Sequence, residues 1–153
     1  MLSVGGAAPE FVLPTLSGTE ASLGEMTRSG PVLLAFFKIS CPTCQYTFPF
    51  LERLAAAPQL KMTGISQDNA KATAEFCRKY GVSFPVALDD AGAGYCVSNA
   101  YKITHVPSVF LVEGNSITEA FDGFSKCDLE RLGKRFGVPA FRAGEKIPDF
   151  RPG

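Results

Sequence analysis

The 153 residues carry fifteen Lys and Arg against fifteen Asp and Glu. With no net charge the sequence gives no reason to expect a nucleic-acid partner or an anionic membrane surface, both of which need a basic excess. A hydrophobic content of 46% and a charged content of 20% are globular values that exclude wholesale disorder, and no apolar run approaches the ~20 residues of a membrane span.

Residues 1–30 are rich in Gly, Pro, Ser and Thr. Short extended pieces around Ala8–Pro14 and Ala21–Leu23, separated by the turn Leu16-Ser17-Gly18-Thr19, predict a small hairpin laid on the core. Met1 to Ala8 has no positively charged region and is too short for a signal-peptide core, so the expected setting is cytoplasmic; a trimmed N-terminus would make it extracytoplasmic.

Val32-Leu33-Leu34-Ala35-Phe36-Phe37 is an unbroken apolar run, the pattern of a strand buried on both faces. It leads into Ser40-Cys41-Pro42-Thr43-Cys44, and Gln45 to Ala57 reads as a helix in which Phe48, Leu51 and Leu54 share one face. Pro42 suits the first helical position, where a missing N–H costs nothing. Cys41 is thereby placed at a helix N-terminus, where free N–H groups and the helix dipole favour a thiolate. Cys44 lies about one turn on, within reach of the Cys41 sulfur. Pro49 inside this helix predicts a kink.

Leu60–Ser66 is the next strand, and Asp68 or Asn69 caps a helix that turns Ala72, Phe76 and Tyr80 inward and ends at Gly81. Strand, helix, strand implies a parallel pair joined by a crossover. Phe84–Leu88 is a short strand, and Asp89-Asp90-Ala91-Gly92 opens a short helix running to Tyr101. Val106–Val112, the turn Glu113-Gly114-Asn115 and Ser116–Phe121 form a hairpin. Ser125 caps a last helix, Lys126–Phe136, and residues 137–153 read as an irregular tail. The expected organisation is one domain over 1–153, with the hairpin as an extension.

Together these pieces resemble the thioredoxin-like superfamily, in its TlpA/ResA-like or redoxin (AhpC/TSA-type) branch. The resemblance rests on Gly6-x-x-Pro9-x-Phe11, the strand into Cys41-Pro42-Thr43-Cys44, Tyr80-Gly81-Val82-Ser83-Phe84-Pro85-Val86, and Val106-Pro107-Ser108-Val109-Phe110-Leu111-Val112. It implies a central mixed β-sheet flanked by helices and a thiol-disulfide oxidoreductase. It also implies a cis bond before Pro107, with the Val106 backbone beside Cys41, ready to pair with an extended substrate strand. Cys41 would attack a substrate disulfide and Cys44, more buried and of higher pKa, would resolve the mixed disulfide. Pro42, Thr43 and Val106 would meet the substrate.

The chain departs from thioredoxins in two places. Ala35 stands where they keep a buried Asp, and Ser40 where they often have Trp. In ResA-like members an acid at the start of the next helix serves instead, and Asp68 occupies that place as either proton acceptor or helix cap. Lys38 either supports the Cys41 thiolate or is a solvated strand-end cation.

A peroxiredoxin-like peroxidase is the rival reading, and a non-catalytic thioredoxin-fold binding module is another. Peroxiredoxins carry Thr or Ser three residues before the peroxidatic Cys and an Arg at the position of Pro107; here Lys38 and Pro107 stand there, leaving a peroxide oxygen without donors. Of the other cysteines, Cys77 and Cys96 read as small packing residues. Cys127, near a helix start, reads as packing or as a third redox thiol, and His105 as a loop residue facing solvent or the site. With scattered cysteines and one His, a zinc site is disfavoured. No metal or organic cofactor is expected. The expected partners are a disulfide-containing protein substrate and a dithiol electron-donor protein.

Overall fold

The computed structural model describes residues 1–153. Its centre is a five-stranded mixed sheet. An N-terminal hairpin, β1 (Val12–Pro14) with β2 (Glu20–Ser22), is followed by a short helix α1 (Leu23–Thr27) that the sequence pattern did not announce. Then come β3 (Val32–Phe37), α2 (Pro42–Leu54), β4 (Lys61–Ser66), α3 (Ala70–Tyr80) and β5 (Val86–Leu88). After α4 (Cys96–Ala100), β6 (Ser108–Glu113) and β7 (Ser116–Asp122) form the expected hairpin, and β8 (Phe124–Ser125) leads into α5 (Lys126–Phe136). The order across the sheet is β5-β4-β3-β6-β7, with β3 parallel to β4 and antiparallel to β6.

All six β3 side chains are buried, and they alternate between two cores because successive strand residues point to opposite faces. Leu33, Ala35 and Phe37 pack with Phe48, Leu51 and Leu54 of α2, Phe76 of α3, and Leu129, Leu132 and Phe136 of α5. Val32, Leu34 and Phe36 pack with Phe11, Leu13 and Leu23 from the N-terminal segment and with Val97 and Tyr101. The N-terminal segment, hairpin and α1 together, thus covers a sheet face on which the rest of the chain lays only the short α4 and Tyr101. Each fully buried Phe or Leu contributes about 1.5–3 kcal/mol of transfer free energy.

The first part of α2 forms as the sequence predicts, with Pro42 in its first turn, and the helix runs on through Pro49. It stops at Leu54 rather than Ala57, in an Ala-rich turn before Pro58. One expectation needs correction and two others are sharpened. The segment from Asp89 to Tyr101 is not one helix: Gly94 and Tyr95 both take left-handed backbone and split it into a 3-10 turn (Ala91–Ala93) and α4. The fully buried Asp89 carboxylate then caps α4, accepting from Val97 N–H at 3.2 Å and Ser98 N–H at 2.6 Å. Second, Asn69 alone caps α3, accepting from Ala72 N–H at 2.9 Å, and Asp68 is free for another task.

Third, residues 137–153 are irregular as far as Asp149, as expected, and gain a short strand only near their end. They fold back across the molecule and end in β9 (Phe150–Arg151), antiparallel to β8. On the way Arg53 grips Glu145 with two parallel bonds of 2.7 and 2.9 Å and also donates to the Ala140 carbonyl. That pairing holds the Glu145 carboxyl down to about 2.

Candidate active site

At the carboxyl end of β3 the chain leaves the sheet, turns through Lys38–Ser40 and enters α2. The turn is pinned from two sides. Ile39 N–H donates to Asp68 Oδ2 at 2.8 Å, and Gln45 Nε2 donates to the Ile39 carbonyl at 2.9 Å. Cys41 is the cap residue of α2, with extended backbone and a half-buried side chain whose sulfur accepts from Cys44 N–H at 3.2 Å.

Cys44, one turn inside, is fully buried. Burial pushes its thiol strongly upward, the hydrogen bond with Cys41 adds to this, and the nearby charge of Asp68 acts in the same direction. The two cysteines, both free thiols, therefore differ in burial, Cys41 half-buried at the helix start and Cys44 enclosed.

The third component is the loop before β6. The Val106–Pro107 peptide bond is cis, Pro107 is buried, and the Cys41 S–H donates to the Val106 carbonyl at 3.2 Å. Residues 65 positions apart in sequence thus meet through one backbone oxygen. Ser108, just after, donates to the His105 carbonyl at 2.7 Å and braces the loop.

The structure brings together Cys41, Cys44, Val106 and Pro107, with Asp68 one hydrogen bond away from the Lys38–Ser40 turn. Pro42 is exposed beside them, and Thr43 is buried with its hydroxyl donating to the Pro152 carbonyl at 2.6 Å. Lys38 is exposed, and its backbone carbonyl, not its ammonium, engages the turn by accepting from Cys41 N–H at 3.3 Å. His105 is exposed and pairs with the neighbouring Thr104 hydroxyl.

Cys77 is half-buried against the core, its thiol pushed up to about 11 by burial. Cys96 is not the packing residue its apolar neighbours suggested: it is exposed, because α4 turns Val97 and Ser98 inward instead. Cys127 sits exposed in the first turn of α5. No three His, Cys, Asp or Glu side chains converge as a metal site requires. No helix is long and apolar enough to cross a membrane.

The residues that sequence reasoning missed lie in the tail. Pro152 reaches Thr43, Gly153 lies against the Val106 peptide, and the Arg151 guanidinium stacks 4.4 Å over the Tyr46 ring. Nothing in the spacing of Pro148, Pro152 or the flanking residues signals a return to the cysteines.

The chain as a whole resembles known thiol-disulfide oxidoreductases. Thiol-disulfide oxidoreductase ResA of Geobacillus kaustophilus is 29% identical over 136 residues, spanning 85% of this chain and 76% of that protein. A Chlorobium tepidum structure assigned as the thiol:disulfide interchange protein DsbE superposes with a TM-score of 0.76 at 26% identity, covering 88% of this chain and 96% of that one. The thioredoxin domain of a thiol-disulfide oxidoreductase from Bacteroides vulgatus shares the fold with a TM-score of 0.78 at 21% identity, over 89% and 99% of the two chains. The AhpC/TSA family model matches residues 4–120, and the chain belongs to that family.

Proposed function

We propose that this protein is a thiol-disulfide oxidoreductase that reduces disulfides in protein substrates through the Cys41–Cys44 pair. The observation that carries the reading is the single contact network joining Cys44 N–H, the Cys41 sulfur and the Val106 carbonyl. It sets an exposed-edge sulfur at a helix start beside a backbone edge able to receive an extended chain. The ResA and DsbE relatives are named for the same chemistry.

In the first step the Cys41 thiolate attacks one sulfur of the substrate disulfide. A Cys41–substrate bond forms, the substrate S–S bond breaks, and the departing substrate thiolate takes a proton. In the second step Cys44 loses its proton and attacks the Cys41 sulfur, closing the Cys41–Cys44 disulfide and expelling the second substrate thiolate. Two electrons have then passed to the substrate, and a dithiol donor protein returns them by the reverse exchange.

Because burial holds Cys44 protonated, the second step needs a proton acceptor. Asp68 is the acid whose charge reaches Cys44, and its carboxylate is already fixed by Ile39 N–H. Proton transfer through Asp68 therefore belongs to this proposal.

The test is mixed-disulfide trapping by intact mass. Cys44→Ser should accumulate a covalent adduct with a disulfide-containing protein, and Cys41→Ser should form none. Adducts only in Cys41→Ser would reverse the roles. Rapid consumption of hydrogen peroxide by the reduced protein, without protein-disulfide reduction, would favour a peroxidase instead.

A further inference from the structure

Residues 149–153 lie across the site as an extended strap, every residue of it exposed, with only the Arg151 side chain laid back over the Tyr46 ring. Backbone groups do most of the holding. Phe150 and Arg151 pair antiparallel with Ser125 and Phe124, Lys126 N–H donates to the Asp149 carbonyl at 3.0 Å, and the Thr43 hydroxyl takes the Pro152 carbonyl. Two glycines make the approach close enough: a Cβ at Gly123 would overlap the Arg151 carbonyl, and one at Gly153 would overlap the Val106 carbonyl. An exposed strand held through its main chain is the geometry by which an extended peptide is added to a sheet edge, and such holding is largely indifferent to sequence.

The end of the strap thus rests on the same Val106 peptide that accepts the Cys41 S–H. We propose that Asp149–Gly153 is an internal competitor, filling the place of an extended protein substrate, and that it must lift before such a chain docks beside Cys41. The inference rests on the proposed docking of substrate at Val106. One edge holds either strap or substrate. The apparent affinity for a protein substrate is then the intrinsic affinity reduced by the fraction of molecules with the strap open, whereas a small disulfide that needs no backbone pairing escapes that reduction. The partner this selects is an extended segment flanking its disulfide, long enough to replace both the β8 pairing and the contact over Val106.

The competition is tested directly in full-length Cys44→Ser by attaching to Cys41 an extended peptide with a single cysteine activated as a 2-thiopyridyl disulfide. This chemistry needs only a reactive Cys41 thiol. Hydrogen exchange at the Lys126 and Arg151 amides should rise at least tenfold on attachment of the peptide, and not on attachment of a methylthio group alone. Unchanged exchange with the peptide in place overturns the proposal, as does an equal rise with both adducts.

Two strap variants of the full active site, Gly153→Val and removal of residues 149–153, give a second reading. Both should raise the rate of Cys41 modification by a bulky polymer-linked maleimide severalfold relative to iodoacetamide. A ratio equal to that of the parent in both variants overturns the proposal. Failure of Cys41 and Cys44 to cycle would remove the oxidoreductase reading while leaving each of these measurements decisive for the strap.

Discussion

The Cys41–Cys44 turn and the 149–153 strap meet at one peptide, yet they are held by different physics. The turn hangs from β3, whose side chains are all buried between two cores, and is fixed by Asp68, Gln45 and the first turn of α2. The strap has no buried side chain and depends on main-chain hydrogen bonds, one hydroxyl and a guanidinium over a ring. A site of fixed geometry beside a removable cover is what this difference produces: the sulfurs keep their spacing while access to them changes. Opening is therefore a local event, drawn from the low-stability end of the molecule.

The comparison breaks most severely on the anchored side. Phe37 packs against both Phe48 and Phe76, with ring centroids 4.4 and 4.9 Å away, directly beneath the turn. Phe37→Ala should cost about 3–5 kcal/mol, read as a shift in the urea unfolding midpoint. Next in size is Asp68. Asp68→Ala leaves Ile39 N–H without its partner and should destabilise by about 1–3 kcal/mol. Asp68→Asn keeps an acceptor for Ile39 and removes the charge, so it should leave the midpoint nearly unchanged while slowing resolution of a Cys41 mixed disulfide. Resolution by Asp68→Asn at the parent's rate, in single-turnover mass spectrometry, would remove Asp68 from the proton path.

A smaller effect is expected in alkali. The thiols of buried Cys44 and half-buried Cys77 stay protonated in the folded chain to higher pH than in the unfolded one, where thiols ionise at about 8.5. Stability should thus be complete below about pH 8.5 and fall as pH rises toward the folded value of about 11 for Cys77. Cys77→Ala should flatten that slope in melting curves taken between neutral and alkaline pH.

The smallest effect lies at the base of the tail. Glu145, held down to about 2 by Arg53, keeps its ion pair through neutral pH and loses it only as pH falls through that value. Glu145→Gln should leave the melting midpoint almost untouched, yet speed protease cleavage within residues 142–153. Unaltered cleavage would show that the main-chain pairing of β9 alone holds the tail.

How much was legible in advance follows the same division. The β3 run, Pro42 at a helix start, the paired cysteines and the β6–β7 hairpin are local patterns, and each formed close to its expected bounds. The nearness of Val106 to Cys41 came from family resemblance, since no local pattern links segments 65 residues apart. Asp68 was placed beside the site with its task left open between helix cap and proton acceptor, because adjacent Asx residues compete for one cap and sequence alone does not show that Asn69 takes it. Cys96 reads as a packing residue in the sequence, whereas α4 follows the left-handed Tyr95 with Val97 and Ser98 inward and Cys96 exposed. The strap was invisible because a two-residue strand held through its backbone leaves no side-chain signature.

β3 is paired on both flanks along its length, to β4 and to β6. Its amides should therefore be among the last in the chain to trade hydrogen for deuterium, opening only when the whole domain does. The dithiol follows directly from that strand, so heat or mild denaturant should release the strap well before it disturbs the cysteines underneath.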